Sequence, residues 1–268
     1  TVGAQYRGGS DYSATKEYIG YYDHQGCYTY NNAPTETPRT GLTTQDYKRF
    51  DRTGSVASPS SRKCSGEQFS GNFLNWASNS AIDMMRMALS GGDRYIDSEN
   101  LTILQRAVLP NVDKKPSCFW NNGGYFPAKS VAKSVDGVSD YAGAVPESMR
   151  KTANDNGNKI WIANKLNRIY FRAGANSTGD CGDSTGYILG GSSLNPALNS
   201  DGFFFSRVQV CNISGGVLQD SRDFGLCKKY PSGVYKPTGA IQKYSDQLRM
   251  AAFGYLMDTD DPKSANST

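Results

Sequence analysis

Hydrophobic positions recur with helical spacing over residues 70–90. The apolar and small residues at steps of three and four are Phe73, Trp76, Ala77, Ser80, Met84, Met87 and Ala88. Ser70 can act as the N-cap, because its hydroxyl can accept from a free backbone N–H of the first turn. Gly91 and Gly92 follow, and glycine readily adopts the left-handed conformation that ends a helix. The pattern predicts one mostly buried helix with Trp76 in the core.

A second helix is predicted over residues 98–110. Ser98 can cap it, Leu101, Leu104 and Val108 lie on one side, and Pro110 ends it. We therefore expect an α+β fold: a loop-rich, disulfide-stapled single globule with a central helical hairpin and short antiparallel strands.

Period-two patterns indicate the strands. Residues 18–30 favour a short strand or hairpin, and residues 187–189 and 203–211 favour further strands. Residues 159–172 fit both a helix and two strands, and we favour the strand pair. Residues 31–63 and 111–159 are rich in turn-forming residues and are predicted to be loops, with Asn154–Gly157 a turn and not a calcium loop.

Composition narrows the class of protein. Hydrophobic residues make up 37% of the chain, glycine is abundant at 29, and the mean hydropathy is −0.58. The 17 tyrosines suit partly solvent-exposed surfaces, because tyrosine has an apolar ring and a polar hydroxyl. The net charge of +4 comes from scattered residues, which argues against a nucleic-acid binder. No apolar run reaches the length of a membrane span, and no signal peptide is recognisable, so a secreted protein would be represented here by a mature or trimmed piece.

The chain has six cysteines and a single histidine, His24. None of the cysteines forms a C-x-x-C pair, so a mixed Cys/His zinc site lacks ligands and no cofactor is expected. An even number of cysteines favours disulfides formed in an oxidising compartment. We favour the pairs Cys27–Cys64, Cys118–Cys181 and Cys211–Cys227, because each links sequence neighbours around a weakly ordered loop.

Two short motifs resemble a metal site and a catalytic serine, but in each case we favour an ordinary turn. Asp11, Ser13 and Thr15 match the metal motif of von Willebrand A domains, yet no buried strand precedes Asp11. Ser184 lies in a Gly-rich segment, but an activated serine needs an adjacent base, and His24 is far away in sequence. A Ser–Lys dyad stays open, although no motif supports one.

Aromatic and amide side chains mark one candidate contact loop. Trp120 and Tyr125 flank Asn121 and Asn122. Aromatic residues on loops often contact a sugar or a partner protein, although an ordinary loop anchor is equally compatible with the sequence. On the first helix, Asp83 and Arg86 are spaced to form an ion pair, or else have a buried structural role.

Several long motifs resemble one family. These are SGNFLNWAS-x-S-x-ID-x-x-R, GG-x-R and T-x-L-x-RA-x-x-P within residues 70–110, together with Tyr18–Asp23, Cys27–Tyr30, Val208–Cys211, Cys227–Tyr230, Ile241–Ser245 and Arg249–Tyr255. Together they resemble the N-terminal region of the PilC/PilY family of type IV pilus tip-associated adhesins. None of the motifs is a catalytic signature.

The resemblance implies a fold and a function. The family's N-terminal region resembles a von Willebrand A domain with a large insertion, so residues 1–248 would be the insertion domain, residues 249–257 a strand of the parent fold, and residues 258–268 a tail. It implies an extracellular, non-enzymatic protein at the pilus tip or bacterial surface, acting in adhesion and pilus biogenesis, with links to twitching motility and virulence. Host surface proteins or glycans and minor pilins are the implied partners. The alternatives are a secreted serine hydrolase and a purely structural spacer at the pilus tip.

Overall fold

The computed structural model describes residues 4–6, 12–109, 126, 128–137, 140–174, 187–189, 202–214, 216–220, 225–247, 249 and 251. The helices are α1 (Thr44–Tyr47), α2 (Gly71–Ser78), α3 (Ala81–Ser90), α4 (Glu147–Asp155) and α5 (Ala240–Lys243). The strands are β1 (Gly26–Asn31), β2 (Arg49–Ser55), β3 (Phe69–Ser70), β4 (Arg94–Ser98), β5 (Leu101–Gln105), β6 (Lys129–Ala132), β7 (Lys159–Lys165), β8 (Arg168–Ala173), β9 (Tyr187–Leu189), β10 (Phe204–Phe205), β11 (Arg207–Val210), β12 (Ile213–Ser214), β13 (Val217–Leu218), β14 (Cys227–Lys229) and β15 (Tyr235–Pro237).

Two sheets carry most of the described strands. The larger has six strands in the order β3-β1-β2-β11-β5-β4, and only the contact between β2 and β11 is parallel. The smaller follows the order β10-β8-β7-β6, with β9 also paired to β8. Two small hairpins, β12–β13 and β14–β15, complete the set. Strands distant in sequence therefore meet in one sheet, since β11 is inserted between β2 and β5.

A cluster of aromatic rings joins the two sheets and α2. Phe50 of β2 and Phe69 of β3 lie within ring contact of Phe204, and Phe171 of β8 contacts Phe69, Phe73 and Phe204. All five rings are fully buried. Edge-to-face and offset pairs of this kind stabilise a core beyond the area that they bury.

The predicted first helix is present but is divided in two. Ser70 caps α2, since its Oγ accepts from Phe73 N at 3.4 Å, and α3 ends at Gly91 with φ +83°. Asn79 and Ser80 between them are extended. Ser80 instead forms a capping box with Asp83, and side chains that bond the backbone in this way compete with the helical hydrogen bonds. Trp76 is in the core, as expected.

The predicted second helix is wrong. Residues 94–105 form the β4–β5 hairpin, so the central element is not a helical hairpin. The run at Leu101–Gln105 is short, and periodicity alone cannot separate a short buried strand from a helix. Here β5 pairs with β4 on one side and β11 on the other, and this pairing outweighs the local helical spacing.

Two predicted loops contain regular structure. Arg49–Ser55 is a strand of the larger sheet, and residues 129–132 and 147–155 form β6 and α4. The strand was missed because its sequence is polar: Phe50 enters the core, while the guanidinium of Arg49 donates to Glu36 and Asp51 at 2.6 and 2.7 Å. Asn154–Gly157 lies at the end of α4, where Gly157 has φ +94°.

Other expectations are confirmed. Residues 159–173 form the strand pair β7–β8, and residues 187–189 and 204–210 contribute β9, β10 and β11. The fold is α+β, with mixed helix and sheet, and two disulfides lie within the described residues. In the described part of the chain, no helix is long and apolar enough to cross a membrane.

Candidate functional site

Three asparagines on α2 and at its end hold the segment before β1. Asn72, Asn75 and Asn79 are spaced three and four apart, so they share one helical face, and all are buried. Asn72 Oδ1 accepts from Tyr18 N at 2.8 Å, and its Nδ2 donates to Lys16 O at 2.9 Å. The helix therefore satisfies backbone groups that would otherwise lack a strand partner.

Asn75 makes the most complete of these contacts. Its Oδ1 accepts from Tyr22 N at 3.0 Å, and its Nδ2 donates to the carbonyls of Tyr18 and Tyr22, both at 2.8 Å. Asn79 Nδ2 donates to Ile19 O at 3.3 Å. The asparagines of the SGNFLNWAS motif are thus structural.

Asp83 links the start of α3 to the chain after β5. Its Oδ2 accepts from Ser80, and its Oδ1 accepts from Ala107 N at 2.9 Å. Asp83 is fully buried, so the structural role is the correct one of the two predicted for it. Arg86 forms its ion pair with Asp93, at 2.6 Å.

Two basic residues, Arg106 and Lys129, lie buried within electrostatic range of each other, and Arg106 also interacts with the charge of Asp83. Arg106 donates to Asn164 Oδ1 at 2.7 Å and to the carbonyls of Leu166 and Arg168 at 2.6 and 3.2 Å. Lys129 Nζ donates to the carbonyl of Trp76. Burial of a cation costs free energy unless its donors are satisfied. The acceptors named here pair with both terminal nitrogens of Arg106 and with Lys129 Nζ, whereas Arg106 Nε has no hydrogen-bond partner.

The same burial lowers the pKa of both groups. Removal from water, reinforced by the charge of Arg106, lowers the pKa of Lys129 to about 7. For Arg106, removal from water lowers the pKa to about 10, opposed by the negative charge of Asp83. The ammonium of Lys129 also lies over the rings of Trp76 and Phe126, at 4.9 and 5.6 Å from their centroids.

Arg106 and Lys129 both lie next to Phe126, the residue that follows the predicted contact loop. Leu109 and Phe126, which flank residues 110–125, are both buried and pack together with Ala4. Arg106 lies over the Phe126 ring at 5.5 Å, and Leu109 N donates to Leu166 O at 3.0 Å. The contact residues predicted for the loop, Trp120, Asn121, Asn122 and Tyr125, lie outside the described residues.

The role of Arg106 and Lys129 was not anticipated from the sequence. Arg106 belongs to the T-x-L-x-RA-x-x-P motif, but a motif does not reveal which residue is buried. Lys129 carries no signal of burial, because the four residues of β6, KSVA, do not alternate between polar and apolar.

The candidates for catalysis and metal binding do not come together in the described residues. His24 is buried, with Nε2 at 3.5 Å from Glu17, and Ser184 lies outside the described residues. Asp11 is likewise outside them, while Ser13 and Thr15 form the predicted turn, closed by Lys16 N donating to Ser13 O at 3.1 Å.

One cluster has the spacing of metal ligands but the wrong chemistry. Cys211, Cys227 and Asp220 bring three potential ligand atoms together. The two cysteines, however, are joined as a disulfide, and the thiolate is the form that binds metal. The cluster is therefore not a metal site.

The disulfides agree with the predicted pairing where they are described. Cys27–Cys64 and Cys211–Cys227 are both formed. The third predicted pair, Cys118–Cys181, lies outside the described residues.

The tyrosines do not form the partly solvent-exposed surface that the composition suggested. Of those whose burial is described, only Tyr244 is exposed. The buried ones are Tyr12, Tyr18, Tyr21, Tyr22, Tyr28, Tyr30, Tyr47 and Tyr141. Burial raises the pKa of Tyr12, Tyr21 and Tyr22, and it raises that of Tyr141 to about 12. Tyrosine here fills the core, because the chain has few aliphatic residues to do so.

Comparison with known proteins agrees with the motifs. Residues 9–122 match the model of a family described as "PilY1 homolog, small alpha/beta domain". Two proteins of Xylella fastidiosa (strain Temecula1 / ATCC 700964), each named "Type IV pilus biogenesis factor PilY1 homolog", are 28% and 27% identical over 252 and 259 residues. These alignments cover 92% and 89% of this chain but only 18% and 15% of the relatives, so the chain spans less than a fifth of their length. No solved structure matches the chain. Residues 9–122 are thus similar to the small α/β domain of PilY1 homologs, and most of the chain is similar to one part of the two Xylella relatives.

Proposed function

We propose that this chain is a contact module of a type IV pilus biogenesis factor, acting at the pilus tip or bacterial surface. Its partner would be a host surface protein or glycan, or a minor pilin, and its chemistry would be binding and not catalysis. The names of the two Xylella relatives support the link to pilus biogenesis. Disulfides support an oxidising, extracellular location.

One observation carries the proposal. The two residues that flank the predicted contact loop, Leu109 and Phe126, belong to one buried cluster with Ala4, and Arg106 lies over the Phe126 ring. Binding residues are commonly found on loops positioned by a rigid scaffold. This buried cluster would lower the conformational freedom that residues 110–125 lose on binding, and less lost freedom means higher affinity.

The parent architecture is part of the same proposal. Residues 1–248 would form an insertion domain, and residues 249–257 would join a von Willebrand A-like sheet contributed by other parts of the protein. Of residues 249–257, only Arg249 and Ala251 are described.

The test uses the full-length protein in its bacterium. Trp120→Ala and Tyr125→Ala remove the aromatic contacts without touching a cysteine. Val135→Ala is the matched control, because Val135 is fully exposed at a different site. Surface pili and binding to host cells are measured for each variant.

The possible results distinguish a host contact, a minor-pilin contact, a structural spacer and a hydrolase from one another. Loss of cell binding with normal pili supports a host contact, and loss of pili supports a minor-pilin contact. Normal pili and normal cell binding in both loop variants would overturn the proposal and leave a structural spacer. A hydrolytic activity that Ser184→Ala abolishes would favour the secreted hydrolase instead.

A further inference from the structure

A polar cavity of about 380 Å³ lies between three turns at one end of the larger sheet. One wall is the β4–β5 turn with Glu99 and Asn100, and the second is the chain that leaves β11 at Asn212. The third is the β14–β15 hairpin, which contributes Ser232 from its turn and Tyr235 from β15. Its volume falls within the range of small-ligand sites.

The cavity walls are held together by covalent and charged contacts. The Cys211–Cys227 disulfide joins the end of β11 to the start of β14. Lys236 of β15 donates to Asp97 and Thr102 at 2.7 and 3.0 Å, and also to the carbonyl of Ser98. The three turns are therefore positioned before any ligand arrives, which lowers the entropy lost on binding.

A second hydrogen bond joins the β4–β5 and β14–β15 hairpins. The guanidinium of Arg94 in β4 donates to Pro237 O in β15 at 2.6 Å. Arg94 also pairs with Asp97 at 2.9 Å, so Asp97 is held by both cations. Lys236 and Asp97 thus neutralise each other's charge, and neither of them lines the cavity.

The side chains that line the cavity define the chemistry of its ligand. Asn100, Asn212 and Ser232 offer amide and hydroxyl groups that both donate and accept. Tyr235 is half-buried and adds an aromatic ring, and Glu99 is the one charged side chain among the described residues of the lining. That lining contains no cation, and the nearby ammonium of Lys229 lies over the Tyr235 ring, at 6.0 Å from its centroid, so the lining favours a neutral over an acidic ligand. Paired donors and acceptors beside a ring instead match the hydroxyls and the C–H face of a sugar.

We propose that this cavity binds a neutral saccharide of one or two units. The inference rests on the proposed function in that it supplies a glycan contact for an adhesive protein, but it concerns other residues than those of the predicted contact loop. The carboxylate of Glu99 would accept from adjacent sugar hydroxyls, and Tyr235 would pack against the ring.

The experiment uses the purified chain with its disulfides intact. Lactose, maltose and N,N′-diacetylchitobiose are the neutral probes, with 3′-sialyllactose as the acidic and spermidine as the cationic comparison. Binding is measured by saturation-transfer difference NMR and titration calorimetry. The variants are Asn100→Ala and Tyr235→Ala, and the control is Tyr244→Ala, an exposed tyrosine that lines a separate cavity beside α3 and α5.

The expected result is saturable binding of at least one neutral probe, weakened about tenfold by each cavity variant and unchanged by the control. Asn100 is exposed in a turn, so Asn100→Ala decides the question if Tyr235→Ala fails to fold. Binding of none of the neutral probes, preference for a charged probe, or equal affinity in Asn100→Ala would overturn the proposal. Such a failure would leave the pilus and cell-binding results of the loop variants intact, so the two proposals fail independently.

Discussion

Arg106 donates a hydrogen bond to Oδ1 of Asn164 at 2.7 Å, and the Nδ2 of Asn164 donates to Ala77 O at 2.9 Å. A single amide side chain on β7 therefore joins the end of α2 to a buried guanidinium. We expect Asn164→Ala to lower the free energy of unfolding by about 2–4 kcal/mol, because Arg106 loses an acceptor where water cannot replace it. Urea denaturation followed by tryptophan fluorescence measures the change.

The matched control for this change is Asn100→Ala, which removes the same side chain from an exposed turn. It should alter stability by less than about 0.5 kcal/mol. A loss below about 1 kcal/mol in Asn164→Ala would mean that Arg106 finds another acceptor, and that this network contributes little to stability.

Asn75 should be needed to hold the segment before β1. Asn75→Ala removes three hydrogen bonds to the backbone of Tyr18 and Tyr22, so we expect a loss of about 3 kcal/mol. The segment would open, and limited trypsin digestion should then cut after Lys16 sooner than in the unmodified chain. Mass spectrometry of the released peptide identifies the site.

Met85→Ala is the control for Asn75→Ala, since Met85 is 54% exposed on the adjacent helix. Its digestion should match that of the unmodified chain. Equal protection of the Lys16 bond in Asn75→Ala would show that the asparagine does not hold the segment.

The elements with strong local signals could be predicted from the sequence. Ser70 and Gly91 correctly mark the two ends of the helical stretch, because caps act within one turn. The strand pair at residues 159–173 was predictable from alternation. The break between α2 and α3 also has a local signal, the capping box of Ser80 and Asp83, which the prediction of one continuous helix overlooked. Asn79 at the break donates to Ile19 O as well, a contact with a residue far away in sequence that no local pattern reveals.

Long-range pairing explains the remaining errors. Leu101–Gln105 becomes a strand because β11, about a hundred residues later in the chain, pairs with it. Arg49–Ser55 shows few apolar positions, although Phe50 is fully buried in the core and the strand pairs with both β1 and β11. The candidate site could be anticipated only as a loop: nothing local distinguishes Lys129 from the other lysines of the chain.

Lys129 should make stability depend on pH near neutrality. Its pKa is lowered to about 7 in the folded chain, whereas an unfolded lysine titrates near its ordinary value of about 10.4. Between these values the unfolded state binds more protons, so stability should rise as the pH is raised from 7 to 9, by up to about 1.4 kcal/mol per unit. Below the folded pKa this rise disappears, because both states are then protonated. Denaturant unfolding at several pH values measures the slope.

Lys129→Met should remove this rise, because the replacement keeps the length of the side chain without a titrating group. The tyrosines work in the opposite direction: the raised pKa of Tyr141, about 12, makes stability fall only above about pH 10, outside the window. An equal slope in the methionine variant would assign the pH dependence to other groups.

The two described disulfides should contribute different amounts to the free energy of unfolding. Cys27–Cys64 closes a separation of 37 residues and Cys211–Cys227 one of 16, so the chain-entropy model gives about 4 and about 3 kcal/mol. Each pair is replaced by two serines together, which leaves no single thiol to mispair. We expect Cys27→Ser/Cys64→Ser to unfold at lower urea concentration than Cys211→Ser/Cys227→Ser. The first bond starts in β1 next to Tyr28, which lies in the aromatic core, so its loss should also loosen Tyr28, whereas the second joins two walls of the cavity at the edge of the core. The reverse order of stability would show that strain or residual structure outweighs loop closure here.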